Sequence, residues 1–342
     1  MSQPVFDGHN DALTQAGHAG LATGRPEGHL DLPRMREAGM RGGIFAVFTP
    51  APGDEPRRVP RDDGVAEYAV TPVGHDLAAA HATAAAGRLL GLEREGAVRV
   101  ARSIADVDTA FTGEGPPVAV LHLEGAEAID PGGESLALWH AAGLRSLGPV
   151  WSRPNAFGHG VPFAFPSSPD TGPGLTPQGI ALVRRCSEMG VLVDLSHLNA
   201  AGFWDVARLD AGPLVVSHAG AHALCPASRN LTDAQIDAVG ASGGLVGIIF
   251  ACSLLRADFG DDPTTPVALI ARHARHVADR IGPEHVALGS DFDGALIPDA
   301  VGDVRGLPLV LEALAAEGFG PEDIAAVAWG NWRRVLAAWW GA

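Results

Sequence analysis

Val118-Ala119-Val120-Leu121-His122-Leu123-Glu124 is a largely apolar, strand-like run that stops on a carboxylate. The same form recurs along the chain. Phe6-Asp7-Gly8 leads into His9-Asn10-Asp11, Val191 to Leu195 leads into His197, Leu214 to Val216 into His218, and Val286 to Leu288 into Asp291 and Asp293. Strands buried on both faces read as continuous hydrophobic runs, which is the habit of parallel sheets. A set of such strands, each ending on a metal-binding residue type, predicts a parallel α/β barrel that delivers ligands to one rim.

The spacing around these runs agrees. Strands are predicted near 4–8, 43–48, 117–123, 144–150, 190–196, 213–217, 244–250 and 285–290, with helices over 72–95, 134–142, 176–189, 200–208, 232–242, 264–281, 306–317 and 321–340. Thr176-Pro177 sets a cap and a first-turn proline before Ile180, Leu182 and Val183, and Pro321-Glu322-Asp323 opens the last helix with acids in its first turn. At 342 residues, 46% hydrophobic, residues 1–342 are expected to form one barrel domain. Two proline-rich stretches, 49–71 and 151–175, follow strands and so belong on the ligand-bearing rim. The second carries Phe157, Phe163 and Phe165 and is expected to cover the site.

Composition excludes several classes. The net charge is −16, which disfavours nucleic acid and anionic membranes as partners. All 24 basic residues are arginine, so neither a Schiff base nor a lysine general base is available. The three cysteines, Cys186, Cys225 and Cys252, are odd in number and far apart, which argues for reduced thiols. No basic-then-apolar leader and no apolar run of membrane-spanning length is visible, so a cytoplasmic location is expected.

The strand ends define the candidate site. In His9-Asn10-Asp11, period-two alternation puts both ligand types on the same side of the strand. Glu124 ends a buried strand and needs a cationic partner. With two oxygens it can bridge two cations, and no lysine is present to be carbamylated in that role. His122 has the same parity but reads as a core histidine. His197 and His218 follow consecutive strands, and neutral imidazole suits zinc. Asp291, chosen over Asp293 because it is nearer its strand end, could ligate or act as the proton shuttle. Arg229 offers a guanidinium fork for a substrate carboxylate, and His222 reads as a surface or supporting residue.

Taken together, Asp7-Gly8-His9-Asn10-Asp11, Leu123-Glu124-Gly125, Gly143-Leu144-Arg145, Asp194-Leu195-Ser196-His197, Ser217-His218, Ser228-Arg229-Asn230, Gly289-Ser290-Asp291-Phe292-Asp293-Gly294 and Gly330-Asn331 resemble the renal (membrane) dipeptidase family of zinc peptidases. The resemblance implies a (β/α)8 TIM barrel with two zinc ions. His9 and Asp11 would hold one ion, His197 and His218 the other, with Glu124 between them. Asp291 would be the catalytic aspartate and Arg229 the carboxylate binder. The implied reaction is attack of a metal-bridged hydroxide on a dipeptide, including one with a D-residue at the C-terminal position.

Three departures from the family pattern stand out. Leu147-Gly148-Pro149-Val150-Trp151 ends in Trp151 where the family places a histidine. Trp151 and Asn155 are therefore expected at the substrate, and the histidine's role is either absent or supplied by another group such as Arg153, Asn155 or His159. Ile249-Phe250-Ala251 lacks the tyrosine of animal members, and their leader and lipid-anchor tail are missing. A related barrel amidohydrolase acting on a non-peptide amide, lactone or cyclic amide is the alternative reading. Trp339 and Trp340 are expected to pack on the barrel rather than to form a homodimer face.

Overall fold

The computed structural model describes residues 3–51, 57–60, 66–113 and 115–341. Eight parallel strands close into a barrel: β1 Val5–Asn10, β2 Met40–Phe48, β3 Val118–Glu124, β4 Leu144–Gly148, β5 Leu192–Val193, β6 Val215–Ala219, β7 Leu245–Ile248 and β8 Val286–Leu288. Each falls where an apolar run predicts it. Strands β1 to β5 form one continuous ladder and β6 to β8 another. Two seams complete the circle. At one, Asp194 bridges Val215 and the Leu195 N–H donates to Val215 O at 2.8 Å. At the other, Asn10 bridges Phe292, with Asp11 N to Phe292 O at 2.9 Å and Asp291 N to His9 O at 3.0 Å.

Helices alternate with these strands: α1 Leu32–Ala38, α2 His75–Arg94, α3 Ile104–Phe111, α4 Leu136–Ala142, α5 Pro177–Glu188, α6 Ala200–Leu209, α7 Asp233–Ala241, α8 Cys252–Leu255, α9 Ala268–Ile281, α10 Leu307–Ala316, α11 Pro321–Ala325 and α12 Asn331–Trp340. Caps set several of them. Thr176 Oγ1 accepts from Gly179 N, and Thr232 forms a capping box with Gln235. Helices α1 and α3 are absent from the sequence-based expectation. The first is bounded by the Asp31 cap and by Gly39 in the left-handed region at φ 77°, the second by the Ser103/Asp106 capping box.

The helix expected over 321–340 is interrupted by a π-turn at Ala326–Gly330. The turn lets Trp329 meet Phe6 edge-on at 5.6 Å while Trp332 donates to Leu288 O at 2.9 Å. The last tryptophans are also anchored, Trp339 to Pro213 O at 3.0 Å and Trp340 to Arg145 O at 3.3 Å, so this helix plugs the base of the barrel.

The rim stretches differ from loops. Within 49–71, Arg57–Pro60 and Ala66–Ala69 form an antiparallel hairpin, and Ala164–Phe165 from the second stretch adds a third strand. Residues 52–56 and 61–65, with Pro52, Pro56 and Arg61, lie outside the described residues. Phe165 stacks on Phe259 at 5.2 Å. Among the described residues no helix is long and apolar enough to cross a membrane.

Candidate metal centre

Five strand ends converge at the C-terminal mouth of the barrel. Glu124 Oε1 lies 3.5 Å from His9 Nε2, 2.8 Å from His197 Nε2 and 3.6 Å from His218 Nε2. Asp11 Oδ2 is 3.7 Å from His9 Nε2, and the two imidazole nitrogens of His197 and His218 face each other at 3.1 Å. The donor atoms of His9, Asp11 and Asp291 also lie within 4.8 Å of one another. All six side chains are buried or nearly so.

This donor set fits a divalent cation. His9 has neither ring nitrogen in a hydrogen bond, and Asp11 Oδ1 is likewise unpartnered. Leaving a buried polar atom unsatisfied costs about 1–3 kcal/mol, so three at one point mark a place built for something else. The titration of His197 and His218 agrees. Burial and then the Arg229 charge lower the His197 pKa to about 4, and burial followed by the charge of His9 takes His218 well below its usual range, so both are neutral donors at pH 7. Burial raises Glu124, but His9 and His197 outweigh it and hold the carboxylate ionised. Burial pushes Asp291 up to about 7, helped by the negative charges of Asp11 and Glu124.

A second layer orients the ligands. Ser217 Oγ donates to Asp194 Oδ2 at 2.5 Å and therefore accepts from His218 Nδ1 at 2.8 Å, which leaves Nε2 bare for a ligand. Asp194 also accepts from Ser217 N at 2.8 Å and from Ser196 Oγ at 2.8 Å. Ser152 Oγ lies 2.7 Å from His197 Nδ1. Asp194 and Ser217 stand in the quoted motifs without an assigned task, and Ser152 is missed altogether, because only the folded chain shows which hydroxyl faces which ring. His197 and Asp291 sit at φ 64° and 61°. Left-handed backbone at a non-glycine residue costs about 1–2 kcal/mol and recurs where geometry matters to function.

A cavity of about 260 Å³ opens over the centre, lined by Asp11, Glu124, His197, His218, Asp291 and Arg229 on its polar side. Arg229 Nη2 donates to His218 O at 3.0 Å, and its Nε lies 3.2 Å from His197 Nδ1. Burial lowers its pKa to about 10, so it stays charged at neutral pH. Trp151 also lines the cavity, its ring 4.7 Å from Phe48, 5.6 Å from Phe163 and 5.7 Å from His197.

The expectations for Asn155, Arg153 and His159 are corrected. Asn155 does not reach the cavity. Its Oδ1 accepts from Phe157 N at 2.8 Å and Gly158 N at 3.2 Å, and its Nδ2 donates to Pro149 O at 2.9 Å, so the amide is spent on its own turn. Arg153 is buried against Glu127 at 2.8 Å and Thr49 O at 2.7 Å, and His159 turns to Gly174 O at 3.1 Å. None of the three is placed to stand in for the missing histidine. His122 binds Ser146 Oγ at 2.9 Å through Nδ1, but its Nε2 has no hydrogen-bond partner and lies 3.8 Å from Asp194 Oδ2, so it is a core histidine satisfied on one side only. His222 holds Ser167 O at 3.0 Å, away from the centre.

Residues 1–339 match the family described as membrane dipeptidase, peptidase family M19. The chain belongs to the membrane dipeptidase family. A crystal structure described as dipeptidase AC, a metallo peptidase of family M19, superimposes with a TM-score of 0.92 at 44% identity, covering 100% of both chains. A metallo peptidase from Rhodobacter sphaeroides, crystallised with a phosphinate mimic of the dipeptide L-Ala-D-Ala, gives 0.92 at 42% identity over 99% of this chain and 100% of its own. An uncharacterised Klebsiella pneumoniae protein from the pqqA 5′ region is 46% identical over 246 residues, 72% of this chain and 90% of its own. Membership in the membrane dipeptidase family makes this a metal-dependent hydrolase.

Proposed function

We propose that this chain hydrolyses dipeptides, including those with a D-residue at the C-terminal position, with two zinc ions held by His9, Asp11, Glu124, His197 and His218. The observation that carries this is the single oxygen Glu124 Oε1, within 3.6 Å of Nε2 atoms from three different strand ends. Such a carboxylate would be shared by two cations, His9 and Asp11 holding one and His197 and His218 the other. The Rhodobacter relative and its L-Ala-D-Ala mimic support the stereochemical reading.

When bound, the ions would supply Lewis acidity and lower the pKa of water at the site. The chain's own residues do the rest. Arg229 carries a charge that no carboxylate of the described residues pairs with directly, so it is suited to the substrate's C-terminal carboxylate. Asp291, with its pKa near neutrality, accepts a proton from the attacking water and returns it to the leaving amine. Trp151, Phe48 and Phe163 shield the reacting atoms from bulk water. The test is a panel of dipeptides in both C-terminal configurations, run beside lactones and cyclic amides on zinc-loaded enzyme. Turnover confined to the lactones and cyclic amides would refute the reading.

A further inference from the structure

Asp291 and Asp293 both line the cavity, yet only Asp291 has a carboxylate free to meet the centre. Asp293 is fastened on every side to the segment that joins β1 to α1. Its Oδ1 accepts from His29 N at 2.6 Å, its Oδ2 pairs with Arg25 Nη2, its own N–H donates to His29 Nδ1 at 2.9 Å, and its carbonyl accepts from Gln15 Nε2 at 2.6 Å. Arg25 and Asp293 are each 1% exposed at the side chain, so this is an enclosed pairing. Accepting that N–H requires a bare Nδ1, so His29 carries its proton on Nε2. Burial lowers its pKa and keeps the ring neutral.

The turn held this way is the one that presents Asp291. Asp291 N is tied to His9 O at 3.0 Å, and Asp291 O accepts from Gly294 N at 3.0 Å and Ala295 N at 3.2 Å. Asp291 and Asp293 sit at φ 61° and 70°, a left-handed conformation that is uncommon outside glycine, although aspartate enters it more readily than most residues. On the far side of Asp291 the chain is held by β1. On the near side, the side-chain anchors of Asp293 are Arg25 and His29. We propose that His29 and Arg25 are positioning residues for the reaction: by gripping Asp293 they fix the left-handed turn that aims the Asp291 carboxylate at the centre. This rests on the reading of Asp291 as the proton carrier.

The experiment is a double-mutant cycle on zinc-loaded enzyme, with His29→Ala, His29→Asn, Asp291→Asn and His29→Ala/Asp291→Asn. A misplacement of about 1 Å at a catalytic group lowers turnover by about 100-fold, so His29→Ala is expected to reduce kcat by about 10- to 100-fold, with KM and zinc content per folded protein unchanged. His29→Asn, whose amide oxygen can accept from Asp293 N–H, is expected to recover kcat to within about 3-fold of wild type. In the Asp291→Asn background, adding His29→Ala is expected to change kcat by less than about 2-fold. Arg25→Met is run in the same cycle and decides the matter if His29→Ala does not fold. An unchanged kcat in His29→Ala, or an equal loss in the Asp291→Asn background, overturns the inference alone. Wild-type kcat in Asp291→Asn would overturn the proton-carrier reading, and the inference with it.

Discussion

Gly294→Ala is the sharpest test of how closely the site is built. Gly294 lies outside the left-handed region, so its backbone accepts alanine without strain. A methyl group there would overlap Asp11 Oδ2 and Asp291 Oδ1 together and come within 3.2 Å of Asp291 Cγ. Each carboxylate must retreat by about 1 Å to restore ordinary contact. Both are ends of short side chains, so the fold yields cheaply and overpacking costs stability about 1 kcal/mol. The reaction does not yield: a displacement of that size corresponds to about 100-fold in kcat, or about 2.7 kcal/mol on the barrier. The assay compares kcat on L-Ala-D-Ala, zinc content and thermal midpoint for both proteins. A variant with wild-type turnover would show that Asp11 and Asp291 do not act from the positions seen here. A variant that simply unfolds would show that Gly294 serves the fold instead.

Three further outcomes are expected. Ser217→Ala removes the acceptor that sets the His218 tautomer and should weaken zinc binding by about 10- to 100-fold, read by chelator competition; unchanged affinity would remove Ser217 from the second layer. Arg229→Ala should raise KM for dipeptides by about 10- to 100-fold with a smaller effect on kcat, and an unchanged KM would end its role as carboxylate binder. His273 accepts from Ala221 N at 2.9 Å, donates to Leu255 O at 3.1 Å, and is depressed by burial to a pKa of about 4 from 6.5. Its neutral form is favoured in the fold, so its contribution is complete above pH 6.5 and is lost as pH falls toward 4, up to about 3 kcal/mol. Urea unfolding across that interval should show the slope in wild type and a flatter one in His273→Gln; equal slopes would refute it.

The eight strands are legible in the sequence because burial on both faces leaves each an apolar run, and because each ligand-bearing run stops on a side chain that hydrocarbon cannot tolerate. Helices α1 and α3, of seven and eight residues, are too short to show a period, although Asp31 with Gly39 and Ser103 with Asp106 mark their ends. The hairpin at Arg57–Pro60 and Ala66–Ala69 gains its third strand from Ala164–Phe165, about a hundred residues on, and no local signal announces such a partner. The π-turn at Ala326–Gly330 exists to seat Trp329 and Trp332, which is a matter of packing and not of period.

The site divides along the same line. His9, Asp11, Glu124, His197, His218 and Asp291 could be named because a strand's direction fixes where its last residue goes. The fate of a loop side chain is set by what crosses it, and so Asn155 folds back on its own turn while Ser152, unremarked, reaches His197. The ladder itself shows why the strand ends were informative. Among the described residues the barrel strands are joined by isolated bridges at two places, Asp194 with Val215 and Asn10 with Phe292. His197 and Asp11 follow these bridges, Asp291 immediately precedes Phe292, and His218 and His9 lie beside them within β6 and β1. His9, Glu124 and His218 face the centre from within their strands, whereas His197 and Asp291 reach it from left-handed backbone just past theirs. The positive φ of His197 and Asp291 turns the chain out of the ladder beside the two seams. A mutation that restored regular pairing at either seam would therefore be expected to tighten the barrel and disperse the ligands.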